Sequence, residues 1–246
     1  MTERADYGFD APYAPALMAF GGLALLSIAV TRIWFTPGEV HPVRAAAPGL
    51  AGVWLLLNAI TFIHTTRVGK FAVWRELIDE LQLAGDEALL DVGCGRGAVL
   101  LMAAKQLPRG RAVGVDRWSS TDQSGNAEEV TLRNAALEGV AERIELQTGD
   151  MRGLPFDAGT FDVVVSSLAI HNVAGAAERA KALREMVRVL KRGGRLTIAD
   201  IRHTREYASV LADAGVRIDS TRSLGPRFWY GFGPWAATRV VTGRKL

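Results

Sequence analysis

The residues with the clearest capacity for chemistry are Asp91, Gly93, Gly95 and Gly97, set at alternate positions in the stretch LLDVGCGRGAVLLM. Leu89, Leu90 and Val92 read as a buried strand, and Val99, Leu100, Leu101, Ala103 and Ala104 read as the first turns of a helix. A strand that breaks through glycines into a helix start lets backbone approach a ligand with no Cβ in the way, and it offers unpaired N–H groups. Gly93, Gly95 and Ala98 fit G-x-G-x-x-A, the dinucleotide fingerprint, with Asp116 where a ribose-binding acid is expected. Counting Asp91, the same residues also fit D-x-G-x-G-x-G. A carboxylate just ahead of the loop is a poor neighbour for a pyrophosphate and suits a ligand that carries positive charge.

Further along, Asp116 ends a short apolar strand, and a carboxylate there accepts from the two hydroxyls of a ribose. Trp118 follows, placed to cover a base. Asp150 closes a third strand over residues 144–147 and can accept from an exocyclic amine, with Met151 against the ring. His171, in SSLAIHN, follows a fourth strand over residues 161–166, at the carboxyl end of the sheet where open α/β folds place their sites. It can deprotonate a phenol, enol or amine, serve as a positioning donor, or simply neighbour Asn172 at a helix cap. His203, after the fifth strand, is a second choice, whereas His41 and His64 fall in the hydrophobic region. Cys94 is the single cysteine, which excludes an intramolecular disulfide and a cysteine-built zinc site. Inside the glycine loop it reads as a small residue rather than a nucleophile. No cluster has metal-ligand spacing.

The positioning elements follow the same order. Residues 119–126 are polar and read as a loop and mobile lid, and residues 127–138 read as a helix. Residues 176–190 read as a helix whose Arg179, Lys181, Arg184 and Arg188 form a solvated face. VLKRGGRLTIADI gives the helix end, a Gly-Gly turn and the fifth strand. A helix over 204–214 and strands over 216–223 and 235–244 complete the chain, with the aromatic stretch Arg227-FWYGFGPW between the two strands.

Taken together, D-x-G-x-G-x-G, LPFDAGTFDVVVS and VLKRGGRLTIADI resemble the class I S-adenosyl-L-methionine (SAM) methyltransferases over about residues 77–243. Within them the chain looks most similar to the small group that includes the quinone-biosynthesis C-methyltransferases. The resemblance implies an α/β fold, a doubly wound Rossmann-like sheet of seven strands with an antiparallel C-terminal edge hairpin. It implies SAM as methyl donor and S-adenosyl-L-homocysteine (SAH) as product. Asp91, Gly93, Gly95, Asp116 and Asp150 carry over as cofactor-contacting positions; Cys94, Arg117, Met151 and Ser166 complete the expected set. Arg192 replaces the family's usual proline at the Gly-Gly turn.

Ahead of this domain the composition changes. Hydrophobic residues make up 49% of the 246-residue chain, and the excess lies before residue 65. A run over residues 15–35 has no charge until Arg32, and a second over residues 48–63 has none and is of borderline length for a membrane helix. Helices that are apolar all round must be covered on every side, so residues 1–66 are expected to hold a transmembrane hairpin and residues 67–246 the methyltransferase domain. A soluble cap over the domain is the alternative. Trp34, Phe35 and Trp54 are candidate interfacial aromatics, and Phe228, Trp229, Tyr230 and Phe232 either pack on the sheet edge or lie at a membrane interface or over a hydrophobic substrate. Residues 1–12 are expected to be loosely ordered. Residues 65–83 read as an amphipathic helix that either packs on the sheet or lays Lys70, Phe71 and Trp74 on the membrane surface. Arg67, Lys70 and Arg75 against Arg44 in the connecting loop favour a cytoplasmic domain on the inner membrane. The net charge of +3 is too diffuse to argue for nucleic acid. The expected function is membrane-anchored SAM-dependent methyl transfer to a hydrophobic or amphipathic small-molecule or lipid acceptor. A SAM-binding membrane assembly protein without transfer activity is the alternative, and an NAD-dependent dehydrogenase is disfavoured by Asp91 and the tail hairpin. The acceptor atom and the oligomeric state stay open.

Overall fold

The apolar runs at 89–92 and 163–166 become the two central strands of the sheet, buried on both faces as parallel strands are. In chain order the strands are β1 (Ala88–Val92), β2 (Arg111–Asp116), β3 (Ile144–Thr148), β4 (Phe161–Ser167), β5 (Leu190–Asp200), β6 (Val216–Ser223) and β7 (Arg239–Lys245). They form one sheet ordered β3-β2-β1-β4-β5-β7-β6, in which β7 runs antiparallel to β5 and β6 and the other neighbours are parallel. This is the expected doubly wound sheet with its antiparallel edge hairpin. The computed structural model describes residues 4–35, 42–119 and 123–246.

Among the described residues seven α-helices accompany the sheet: α1 (Tyr13–Phe35), α2 (Pro42–His64), α3 (Lys70–Glu80), α4 (Ala98–Lys105), α5 (Glu128–Leu137), α6 (Ala176–Val189) and α7 (Thr204–Asp213). Strand alternation sends side chains into two apolar layers. Leu89, Val163 and Val165 pack with Trp74, Leu77, Leu100 and Phe228, while Leu90, Val92 and Val164 pack with Ile170, Leu183, Met186 and Tyr207. The chain leaves β1 for β2 on one side and reaches β4 on the other, which opens the crevice at the carboxyl ends of β1 and β4.

Several expectations change. The Gly-Gly turn is a bulge inside β5: Phe161 pairs with Leu190 and Val163 with Arg195, so residues 191–194 loop out, with Gly193 at φ +76°. The last strand starts later than expected, because Pro234 opens a tight turn over Pro234–Ala236. Residues 6–10 are a strap rather than a loose end. The Asp6 N–H donates to Asn134 Oδ1 and the Asn134 amide donates back to the Asp6 carbonyl, both at 2.9 Å. The Phe9 N–H donates to Ser124 Oγ, and Asp10 forms a β-bridge with Gln123. Arg179 is buried, not solvated, and its guanidinium forks onto Glu206 between α6 and α7.

α1 and α2 form an antiparallel hairpin whose backbones touch at Gly22 and Gly52; a Cβ on either would lie 2.9 or 2.8 Å from the other's carbonyl oxygen. The second apolar run is longer than its composition suggested, since Pro42 starts the helix at a position proline tolerates. α2 then passes through a π-helical turn, Thr65–Gly69, directly into α3. Two stretches, Tyr13–Trp34 and Ala46–Glu80, are long and apolar enough to cross a membrane, and 17% and 22% of their most apolar windows are buried. Large apolar side chains face outward along both helices, among them Leu17, Phe20, Leu23, Trp34, Leu50, Trp54 and Ile60. Toward its C-terminal end α2 meets the domain, where Asn58 Oδ1 accepts from the Phe232 N–H and Phe62 packs edge-on against Tyr230. Among the tail aromatics Phe228 is a core residue, whereas Phe232 and Trp235 are exposed beside this junction. His41 and the loop breakers Pro37 and Gly38 lie outside the described residues, as do the side chains of Phe35 and Arg44. The placement of Lys70 and Trp74 on a membrane surface does not hold: both are buried, because α3 turns that face onto the sheet.

Candidate active site

At the end of β1 the backbone turns at Gly93 (φ +79°), where a Cβ would sit 2.2 Å from that of Ala169. The N–H groups of Gly93 and Cys94 both donate to the Val115 carbonyl on β2, at 2.8 and 3.2 Å. At Gly95 (φ +51°) a Cβ would meet Gln123 Oε1 at 2.4 Å, so side chains are excluded by both conformation and space. The Gly95 N–H donates to Asp116 Oδ2 at 2.8 Å and the Arg96 N–H to Gln123 Oε1 at 3.0 Å. Gly97, left-handed, caps α4.

This loop opens on a cavity of about 240 Å³. Asp91, Gly93, Cys94, Gly95, Asp116, Arg117, Asp150 and Met151 all line it, so the fold gathers eight of the nine expected cofactor positions. Ser166 is the exception: it is fully buried, and its hydroxyl donates to the Val92 carbonyl at 2.7 Å. Successive strand residues point to opposite faces, and it is Ser167 that reaches the cavity. Trp118 is also absent from the lining; at φ +58° its indole N–H turns to Thr148 Oγ1 at 2.8 Å. Of the loop expected to act as a lid, Ser119, Gln123 and Asn126 line the cavity, and residues 120–122 lie outside the described residues.

The acids differ in environment. Asp91 is buried at the cavity with no hydrogen bond of ordinary geometry on either oxygen among the described residues, and burial, reinforced by the Asp116 charge and only partly offset by the Leu100 N–H, pushes its carboxyl up to about 8. Asp116 accepts from the Gly95 N–H, the Trp118 N–H and the Asn126 amide, at 2.8, 2.7 and 3.1 Å. Asp150 is gripped by the Arg152 guanidinium, whose hydrogen bonds hold its carboxyl down at about 2, while Arg117 stands 3.9 Å away. Burial, together with the charge of Asp91, pushes the Cys94 thiol well up, which keeps it protonated and unreactive.

His171 is not among the residues lining the cavity, although Ala169, Asn172 and Val173 around it are. Its Nδ1 lies 2.6 Å from Asp200 Oδ1, and its backbone N–H donates to Asp200 Oδ2. His203 stands apart, left-handed at the start of α7, with Nδ1 3.7 Å from Glu206. Sequence reading passed over Asp200, for which an acid closing the apolar run LTIA was the available signal. It also missed Asp10, and it considered Lys70 and Tyr230 for a membrane interface rather than for this cluster. Lys70 Nζ bonds both Asp10 oxygens at 2.9 and 2.8 Å, and Tyr230 Oη donates to Asp10 Oδ2 at 2.6 Å. Asp10 and Lys70 line the cavity with Phe71 and Trp74, whose indole donates to Ser167 Oγ. These contacts join positions 60 to 220 residues apart, beyond the reach of any local pattern.

The sheet order and the acid-flanked glycine loop are those of the class I SAM-dependent methyltransferase fold. Residues 90–198, a little under half of the chain, match the family described as a methyltransferase domain. The demethylmenaquinone methyltransferase of Symbiobacterium thermophilum is 36% identical over 129 residues, covering 52% of this chain and 48% of that protein. This chain spans about half the length of such curated relatives. Geranyl diphosphate C-methyltransferase from Streptomyces coelicolor, solved with Mg2+, geranyl diphosphate and SAH, superposes with a TM-score of 0.58 at 20% identity, over 71% of this chain and 78% of that one. The cyclase SpnF superposes at 0.57 and 19% identity over 97% and 98%. Identities this low show the fold alone, and one fold serves different reactions. SAM is the cofactor of the family, and the residues present fit it: a buried carboxylate short of partners suits a cationic ligand, and the glycines leave the loop backbone bare.

Proposed function

We propose that the protein is a membrane-anchored SAM-dependent methyltransferase acting on a hydrophobic or amphipathic small molecule or lipid. The observation that carries this reading is Asp91, a buried carboxylate with no hydrogen bond of ordinary geometry among the described residues, on the wall of the cavity beside three left-handed glycines. Asp91 would face the cationic part of SAM, Asp116 the ribose, and Asp150 with Met151 the adenine. SAM supplies a methyl group already activated for in-line displacement, which leaves the chain to hold the acceptor in contact and collinear. Phe71, Trp74, Leu168 and Val173 offer an apolar wall for that purpose. His171 acts with Asp200 as a positioning pair that fixes the segment after β4. The S. thermophilum relative, by its name, supports a quinone-type acceptor; a phospholipid amine or another lipid fits the same wall.

The anchor is the hairpin within residues 1–66. A 23-residue helix is roughly 34 Å long, against a hydrocarbon core of about 30 Å. Outward-facing apolar side chains along both helices, and exposed Phe232 and Trp235 at the base, support membrane residence. Two crossings leave both flanks on one face, and Arg67 and Arg75 favour the cytoplasmic one. The decisive experiment is calorimetric titration of the detergent-solubilised chain with SAH, with NAD as control. Binding of SAH alone is expected; binding of neither, or of NAD alone, overturns the proposal. Resistance to alkaline extraction from membranes tests the anchor separately.

A further inference from the structure

The cavity has a second charged group that the cofactor does not require. Lys70, on the helix that continues the hairpin into the domain, is 5% exposed and lines the cavity with Phe71 and Trp74, and its ammonium stands over the Phe71 ring, 5.4 Å from its centre. Its carboxylate partner, Asp10, is itself held by Tyr230 Oη at 2.6 Å, and the Gln123 amide lies 3.5 Å away. An ammonium has three donors, and the two Asp10 oxygens account for two of them. No further acceptor is paired with Lys70 among the described residues. A buried ion pair also costs more desolvation than an apolar contact that would tie the strap equally well. An ammonium fixed by a carboxylate and set over an aromatic ring at a cavity, with its third N–H unmatched by an oxygen among the described residues, can receive an oxygen.

Resting on the proposed transferase reading, we infer that Lys70 is the anchor for the acceptor's oxygen, and that the acceptor carries an ionisable hydroxyl, a phenol or enol, whose ring lies against Phe71 and Trp74. The remaining N–H donates to the ionised oxygen and so favours loss of the hydroxyl proton to solvent. The ionised form is the nucleophilic one, at oxygen or at the conjugated carbon. A carboxylate or phosphate fits less well. Those groups suit the planar fork of arginine, and their second oxygen would face Asp10. The negative charges around Lys70 are Asp10 from the strap and, elsewhere on the cavity wall, Asp91, Asp116 and Asp150. With Asp10 already opposite Lys70, a single oxygen is the most that the remaining N–H can receive.

The test uses para-nitrophenol, whose absorbance reports its ionisation, titrated into the full detergent-solubilised chain saturated with SAH, with para-nitroanisole as the control that lacks the hydroxyl. The phenol is expected to bind about tenfold more tightly than the anisole, and its apparent pKa is expected to fall by about one unit on binding. The double variant Lys70→Met/Asp10→Asn leaves no unpaired charge; it should keep wild-type SAH affinity and lose both the preference and the shift. Equal binding of the two probes by the wild type, or a preference that survives in the double variant, overturns the inference. If the double variant loses SAH binding, Lys70→Gln decides, because a pKa shift that survives there without the ammonium also overturns it. Failure of the wild type to bind SAH would instead overturn the cofactor reading beneath it.

Discussion

His171 Nδ1 lies 2.6 Å from Asp200 Oδ1, and the backbone N–H of the same histidine donates to Oδ2 at 3.1 Å. Asp200, buried at the end of β5, also accepts from the Ile201 N–H at 2.7 Å and from Tyr207 Oη at 3.2 Å. One carboxylate thus joins β5, α7 and the segment after β4 that lines the cavity.

From this follows a prediction about kinetics. His171→Ala and Asp200→Asn should each lower kcat/KM roughly 10–100-fold, as misplacement of a reacting group does. The double variant should lose little more, since both act through one arrangement. Because His171 is absent from the cavity wall, the effect should fall on acceptor KM as well as kcat, and the acid limb of the pH profile should survive. Steady-state kinetics against pH check this; disappearance of the acid limb in His171→Ala would instead make the histidine the base.

Asp91 predicts a pH dependence with a definite sign. The unfolded carboxyl titrates near 3.8, and the folded one near 8. Between those values the native state holds a proton that the unfolded chain has lost, so apo stability falls as pH rises across that window. Asp91→Asn should remove this slope and raise the apo Tm at pH 8 by roughly 5 °C, while weakening SAH binding. Cofactor binding near neutral pH should release about one proton as the carboxyl ionises against the ligand's positive charge. Calorimetry in two buffers of different ionisation enthalpy measures that release, and zero release contradicts the raised carboxyl.

Cys94 gives a negative prediction. Its thiol is buried and held protonated by its surroundings. Native protein should resist iodoacetamide at pH 7.5, and Cys94→Ala should keep methyl transfer within about twofold, since a small side chain is what the loop accommodates. Mass spectrometry after labelling, with and without denaturant, decides it.

Most of the cofactor half of the site was legible because it is local. The loop from Asp91 to Gly97 lies in one strand–turn–helix, and Asp116 and Asp150 each end a strand, where chain order alone sets their place. Ser166 was misplaced by one residue, which on a strand is the whole difference between cavity and sheet interior. The acceptor half was not legible. Lys70 looked like a surface charge on an amphipathic helix, and its burial depends on a strap residue 60 positions earlier and a tyrosine far down the chain. The strap itself carries no periodic pattern, since its order comes from Asn134, Ser124 and Gln123 rather than from its own sequence. The extra length of α2 was hidden by two prolines that usually end helices: Pro42 begins this one and Pro48 lies inside it.

Gly69 carries the last prediction. It closes the π-helical turn between α2 and α3, and a Cβ there would lie 1.7 Å from the Arg227 carbonyl oxygen. The tail therefore rests backbone-to-backbone on the helix that links hairpin to domain. Thr65 Oγ1 reinforces the contact by donating to the Trp229 carbonyl at 2.5 Å. The obstructing atom is main chain and cannot swing aside, so Gly69→Ala should cost about 3 kcal/mol, at the upper end for an overpacked contact. The loss should be local. Residues 226–238 should become sensitive to limited proteolysis while SAH affinity stays near wild type, because the glycine loop lies on other elements. Thr65→Val, which removes the hydrogen bond without adding bulk at the crossing, should show the same effect more weakly, by about 1 kcal/mol. Cleavage patterns unchanged in both variants would mean that the tail is held elsewhere, and that the helix does not transmit its position to the aromatic segment.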